Sequence, residues 1–390
     1  MIHLRGMTWN HPRGVLPLQA ASEAFKKRYP EMEITWDARS LHDFEAYPLE
    51  RLAETYDLIM IDHPHIGAAV GHDVLVPLND WIPEEYLEDQ RRNSVGPSHD
   101  SYSWNGKQWA LAADAAAQVS AYRADLLERH GCRVPVTWEE VRRLAKELPK
   151  EHKLGLPLLP VHAFASFVTL SAQLSGGGFW KEGAELHPET GAAAIAQLQE
   201  LVPYLHERSF SMDPIGMSDR MAATDEIAYV PLIYGYSNYA RHGFASRLLR
   251  YADIPSDSGQ PGGSMIGGVG IAVSSRCKHI LPAIEYAQLA AGGEFQRTTY
   301  VNSGGQPGHR SAWTDAGANE LTHQFFRDTL RTLDLGYVRP RFDGYIAFQE
   351  QAGMRIREAL LNGCSDPAQL VVDLNRLLFK LSSTRSDAIK

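Results

Sequence analysis

Apolar positions along the first 112 residues change period repeatedly, between the two-residue step of a strand and the three-to-four step of a helix. Ile2–Trp9 reads as a short strand. Leu18, Ala21, Phe25 and Tyr29 then recur at helical spacing after Pro12, Gly14 and Pro17, and Pro30 ends that stripe. Glu33 to Trp36 alternates as a second strand, and a second helix is expected over 44–52. YDLIMID, 56–62, is a continuous apolar run closed by an acid and by His63-Pro64-His65, the pattern of a parallel strand buried on both faces. Strands separated by helices imply right-handed crossovers and a doubly wound α/β sheet.

Past residue 103 the text changes. Asn105-Gly106 marks a tight turn between two extended segments. Thr137 and Glu140 have capping-box spacing and open a helix over 137–147. Helices are expected over 163–174 and 190–208, separated by Gly176-Gly177-Gly178, with strands at 227–233 and 248–254. After a loop-rich stretch come a strand at 269–273 and a helix at 281–291. A closing helix at 367–381 has Asp366 as N-cap and Pro367 in its first turn, and 382–390 is expected to fray. No internal repeat or low-complexity tract interrupts this order.

Length and composition narrow the function. The 390 residues, 44% apolar and 22% charged, suit two cores rather than one and exclude a disordered or fibrous chain. Thirty-eight Lys plus Arg against 47 Asp plus Glu leave a net charge of −9, the wrong sign for neutralising phosphates, so no nucleic-acid partner is expected. No apolar window is long enough for a membrane span. Cys132, Cys277 and Cys364 are too few and too far apart for a metal knuckle or a disulfide framework, and are expected reduced. The opening MIHLRGMTWNHPRG shows no basic, apolar and small-residue succession of a secretion signal. The expected location is therefore periplasmic or extracellular if a signal has been removed, and cytoplasmic if Met1 is the native start.

Four stretches, in order, resemble the extracellular solute-binding proteins of ABC importers, in their sugar-binding branch. YDLIMIDHPHIGAAVGHDVLVPLNDW (56–81) is similar to the family's strand, ligand loop, helix and G-x-L-x-P-L passage. WNGKQWALAADAAAQVSAYRADLLERHGCRVPVTWEEV (104–141) is similar to its NGK-x-Y-G-L-P hairpin, then Y-x-x-D-L and a P-x-T-W-E-E helix start. IGGVGIAVSS (266–275) resembles its return strand, and GGQPGHRSAW (304–313) its G-x-x-P-x-R segment. The resemblance implies a two-lobed, periplasmic-binding-protein-like (type II) α/β fold with a solute held in a cleft between lobes. It further implies a discontinuous first lobe, 1–112 plus about 268–320, and a helix-rich second lobe, 113–267 plus about 321–390. Two departures stand out: Val269 occupies a position where members often carry Trp, and Ala113 to Ala117 reads ADAAA where an aromatic is common. Less stacking surface points to a solute that is smaller, more acidic, or not a sugar.

Loops that follow strands face the ligand crevice of a doubly wound sheet. That places Trp9, Asn10 and His11, then Asp62, His63 and His65, among the candidate ligand residues. Trp9 is either a stacking surface or a core residue, and Asp62 either a ligand acceptor or an N-cap. The resemblance adds Asp114, Gln118, Tyr234, Tyr236, Gly267, Gly268 and Gln306. Arg310 and Arg341 either clamp a carboxylate or pair at the surface. His63-Pro64-His65 beside Asp62 would need at least one remote partner to hold a metal, and the sequence shows none; ligand hydrogen bonding or helix-start capping is expected instead, and no metal. The glycines at 262, 263, 267, 268 and 270 lack both phosphate-loop patterns, no GxSxG is present, and no cofactor is expected. Most of the 16 His residues are expected scattered and exposed.

Two functions follow. The first is a binding protein that captures a small polar solute, a sugar or related hydroxylated or acidic molecule, with ABC permease subunits as partners. The alternative is a cytoplasmic cofactor-free lyase, hydrolase or isomerase on the same scaffold, using His11 or His63 with Asp62 as an acid/base pair.

Overall fold

A computed structural model describes residues 1–181 and 183–383, which fall into two units. The first comprises 1–116, 267–327 and 341–343; the second comprises 117–266, 328–340 and the described chain from Gly344 onward. Residues 341–343 return to the first unit, a return that the sequence pattern does not signal.

In the first unit, five strands form one sheet in the order Met32–Arg39, Ile2–Trp9, Leu58–Ile61, Gly270–Val273 and Leu111–Ala112. The first three are parallel, with Ile2 opposite Met32 and Gly6 opposite Leu58. Gly270–Val273 runs antiparallel to both neighbours, so the sheet is mixed rather than wholly parallel. Leu58–Ile61 is buried at every position, with a strand paired along each edge. The Pro12–Arg28 helix buries Leu18, Ala21 and Phe25, and the Ile280–Ala291 helix buries Ile284, Tyr286 and Ala287. Tyr286 Oη donates to the Leu18 carbonyl at 2.8 Å and accepts from Trp36 Nε1 at 3.1 Å, joining both helices to the sheet. The helix expected over 44–52 is instead two, Leu41–Ala46 and Leu49–Ala53, because Pro48 removes an N–H and disfavours helical backbone before it. Asn105 and Gly106 turn the Ser103–Trp104 and Lys107–Gln108 hairpin with φ of 50° and 74°.

The second unit has its own sheet, ordered Arg250–Ala252, Ala116–Tyr122, Ile227–Tyr234 and Lys153–Leu154. Pro231 lies inside its central strand, and the register with Ala116–Tyr122 shifts between Val119 and Ala121, where the missing N–H is accommodated. The Pro160–Leu174 helix is buried from His162 through Ala172, and Tyr345–Asn362 and Pro188–Leu201 pack on it. Trp138–Glu147 opens with the expected reciprocal cap: Glu140 N–H donates to Thr137 Oγ1, and Thr137 N–H to Glu140 Oε2, each at 3.2 Å. The helix expected to reach 208 ends at Leu201, ahead of Pro203. The closing helix, Pro367–Ser383, is capped by Asp366, whose Oδ1 accepts from Gln369 N–H at 3.0 Å. Of the end expected to fray, 382–390, residues 382 and 383 instead continue the helix, and 384–390 lie outside the described residues. Among the described residues no helix is long and apolar enough to cross a membrane.

Candidate functional site

At the end of the first strand, Gly14 is what lets Trp9 lie against its own following helix. A Cβ on Gly14 would stand 2.5 Å from Trp9 Cδ2. Phe44 covers the ring at 5.6 Å between centroids, so Trp9 is only 4% exposed and is held as a core residue rather than as an open stacking surface. Its Nε1–H is buried with no hydrogen-bond partner among the described residues. Asn10 is exposed. His11 caps the Pro12–Arg28 helix, its Nδ1 accepting from Arg13 N–H at 3.0 Å. Burial, assisted by the Arg13 charge, pulls the His11 pKa down to about 3. A neutral, weakly basic ring already spent on a cap does not suit the acid/base role of the enzyme alternative.

Asp62 caps the turn His63–His65: its Oδ1 accepts from His63 N–H at 3.1 Å, and its side chain stays 17% exposed. His63 is fully buried and meets the Tyr102 ring edge-on at 6.3 Å. His65 Nε2 lies 3.2 Å from the Glu45 carbonyl. No group of three His, Cys, Asp or Glu placed to hold a metal occurs among the described residues.

The segment that leaves the first unit is tied down from several sides. Arg13 Nε and Nη2 reach Asp114 Oδ2 and Oδ1 at 2.8 and 2.5 Å, a bidentate pair with both side chains at most 3% exposed. Burial pushes the Asp114 carboxyl upward and the guanidinium opposes it. Asp114 therefore serves the scaffold through Arg13. Gly268, at φ +85°, brings its backbone onto this segment; a Cβ there would collide with the Asp114 carbonyl oxygen. Gly267 is partly exposed beside it. Gln306 Nε2 donates to the Ala115 carbonyl at 2.8 Å, fastening the same segment. Arg310 Nε donates to Ser94 O at 3.1 Å. Arg341 Nη1 donates to the carbonyls of Asp100, Ser101 and Ser103 at 3.1, 2.8 and 2.9 Å. Both arginines thus anchor backbone.

In the second unit, Gln118 stands opposite Tyr234 on neighbouring strands. Its amide is committed: Nε2 donates to Ser166 Oγ at 3.1 Å, and Oε1 accepts from Thr169 Oγ1 at 2.6 Å. Tyr234 is half-buried at the strand end, Tyr236 is buried two residues on, and His162 packs edge-on to Tyr234 at 6.3 Å. A cavity of about 640 Å³ lies at the other end of the Pro160–Leu174 helix, bordered by Leu174, Gly177, Gly262, Gly263, Leu335 and Tyr337; it contains no residue named from the sequence strand ends.

Sequence reasoning overlooked Arg13 and His162. Arg13 carried only a weak signal, a cation in a helix's first turn, where it opposes the helix dipole. His162 is a lone imidazole in the apolar run LPLLPVHAFASFV. The expected scatter of exposed histidines is also corrected, because eight of them, His11, His63, His65, His99, His152, His162, His206 and His309, are buried.

Residues 9–292 match the family described as bacterial extracellular solute-binding protein. An ABC transporter solute-binding protein from Agrobacterium radiobacter K84, solved with ribitol, superposes with a TM-score of 0.80 at 19% identity, covering 97% of this chain and 98% of that one. One from Thermotoga lettingae TMO, solved with α-D-tagatose, gives 0.83 at 14% over 98% and 100%. Maltose-bound MalE3 of T. maritima gives 0.79 at 16% over 97% and 100%. These likenesses carry the two-lobed α/β fold.

Proposed function

The chain belongs to the bacterial extracellular solute-binding protein family, and from that premise we propose that it captures a small, uncharged, polyhydroxylated solute, a polyol or monosaccharide, for an ABC importer. Ribitol, tagatose and D-mannitol in the similar structures support that class of solute. Working outside the cytoplasm, with permease subunits as partners, belongs to the same proposal. The observation that carries it is the buried Trp9 Nε1–H at the end of the first strand. Indole nitrogen only donates, so the group calls for an acceptor such as a hydroxyl oxygen. Asn10, Asp62, Tyr234 and Tyr236 are the further candidate ligand residues in this reading.

Binding of this kind needs no reacting group. Affinity comes from desolvation and a few aimed hydrogen bonds, each worth about 1 kcal/mol net. The enzyme alternative finds no support in His11, whose Nδ1 is engaged by its cap.

Trp9→Phe keeps an aromatic ring against Gly14 and removes the N–H. Calorimetric titration with ribitol, mannitol and tagatose is expected to show about tenfold weaker binding in the variant, with unchanged thermal stability. Equal affinities would remove the indole from the site.

A further inference from the structure

The second unit contains a polar column that ends in an unspent group. Along one face of the Pro160–Leu174 helix, Ser166 and Thr169 follow His162 by four and seven residues. Ser166 Oγ accepts from Gln118 Nε2 at 3.1 Å; Thr169 Oγ1 donates to Gln118 Oε1 at 2.6 Å and accepts from Met265 N–H at 2.9 Å. Gln118 lies opposite Tyr234, and the Tyr234 ring meets the His162 ring at 66°. Ser166 and Thr169 thus spend their polar groups inside the protein. His162 does not: its side chain is 4% exposed, and Nδ1 has no hydrogen-bond partner among the described residues.

Nothing local absorbs that nitrogen. Leu159, the N-cap, offers no side-chain acceptor, and Pro160 has no N–H. The His162 and Ala163 amides both donate to the Leu159 carbonyl at 2.9 Å. A buried polar group left without a partner is destabilising, a cost that an apolar side chain of similar size avoids. Burial alone pulls the His162 pKa down to about 4, so the ring is neutral at physiological pH. A neutral imidazole suits an uncharged hydroxyl, which donates and accepts, better than a carboxylate or phosphate.

We infer that His162 contacts the bound solute, with Nδ1 hydrogen-bonded to one of its hydroxyl groups. This rests on the solute-binding reading above and names a recognition residue for it. His162 is then a determinant of selection for neutral polyols and sugars over charged analogues.

Two variants test it, His162→Leu, which fills the space without a polar atom, and His162→Asn, which keeps a polar atom near the position of Nδ1. Titration with ribitol, mannitol and tagatose is expected to give at least about tenfold weaker binding for His162→Leu and recovery to within about threefold of wild type for His162→Asn. Without solute, His162→Leu is expected to melt at the wild-type temperature or above. Undiminished binding by His162→Leu overturns the inference, as does a fall of more than about 3 °C in its solute-free melting temperature, which marks a structural histidine. Should wild type bind none of the three, the polyol reading fails, and the solute-free melts still decide whether the unspent nitrogen is retained at a cost.

Discussion

A histidine that caps a helix through a ring nitrogen must keep that nitrogen unprotonated, because it accepts the hydrogen bond. His11 does this: its Nδ1 accepts from the backbone N–H of Arg13 at 3.0 Å. For His11 the folded pKa, about 3, lies below the ordinary 6.5, so the unfolded chain binds more protons between those values. Stability from this group is complete above pH 6.5 and falls as pH drops toward 3. His11→Asn keeps a capping acceptor and removes the titration. Urea unfolding at about pH 7 and pH 4.5 is expected to show wild type losing roughly 2 kcal/mol more than the variant. Equal losses would mean that the ring is not held neutral. At this scale the sequence was least legible. Trp9 and Asp62 each left two readings open, and the neighbours that bear on them, Gly14, Phe44 and the His63 amide, are contacts set by the folded chain. The Arg13–Asp114 pair spans 101 residues, a separation that no local pattern encodes.

Elements were easier to read where punctuation was local. Asn105-Gly106, the Thr137–Glu140 box and Asp366-Pro367 each specify a turn or cap within a few residues, and each forms as expected. Pro48 and Pro203 were equally visible but were outweighed by the apolar stripes around them; the backbone obeyed the prolines. Gly268 shows the reverse case, a glycine whose reason lies elsewhere in the chain. Its φ of +85° and the closeness of the Asp114 carbonyl to where a side-chain carbon would stand leave no room for a substituent. Gly268→Ala is expected to cost about 3 kcal/mol in urea unfolding, from strain and from displacement of the 113–116 segment. A loss below about 1 kcal/mol would mean that the 113–116 segment yields readily to a side chain at 268.

Over the whole molecule, the succession of segments carried the most information. Strand and helix periods alone indicated a doubly wound sheet. The antiparallel Gly270–Val273 strand instead depends on the chain returning, from far downstream, to lie beside Leu58–Ile61, and periodicity cannot register such a return. The four quoted stretches placed the chain beside solute-binding proteins, and the family match over 9–292 established that membership. Membership does not select the solute; in the proposal above, side chains at the strand ends do. The most direct measurement is mass spectrometry of the intact protein under non-denaturing conditions after incubation with ribitol, mannitol and tagatose. The account predicts one retained molecule per chain, released on denaturation with its mass unchanged. Retention of none of them, or release of a chemically altered product, would contradict it.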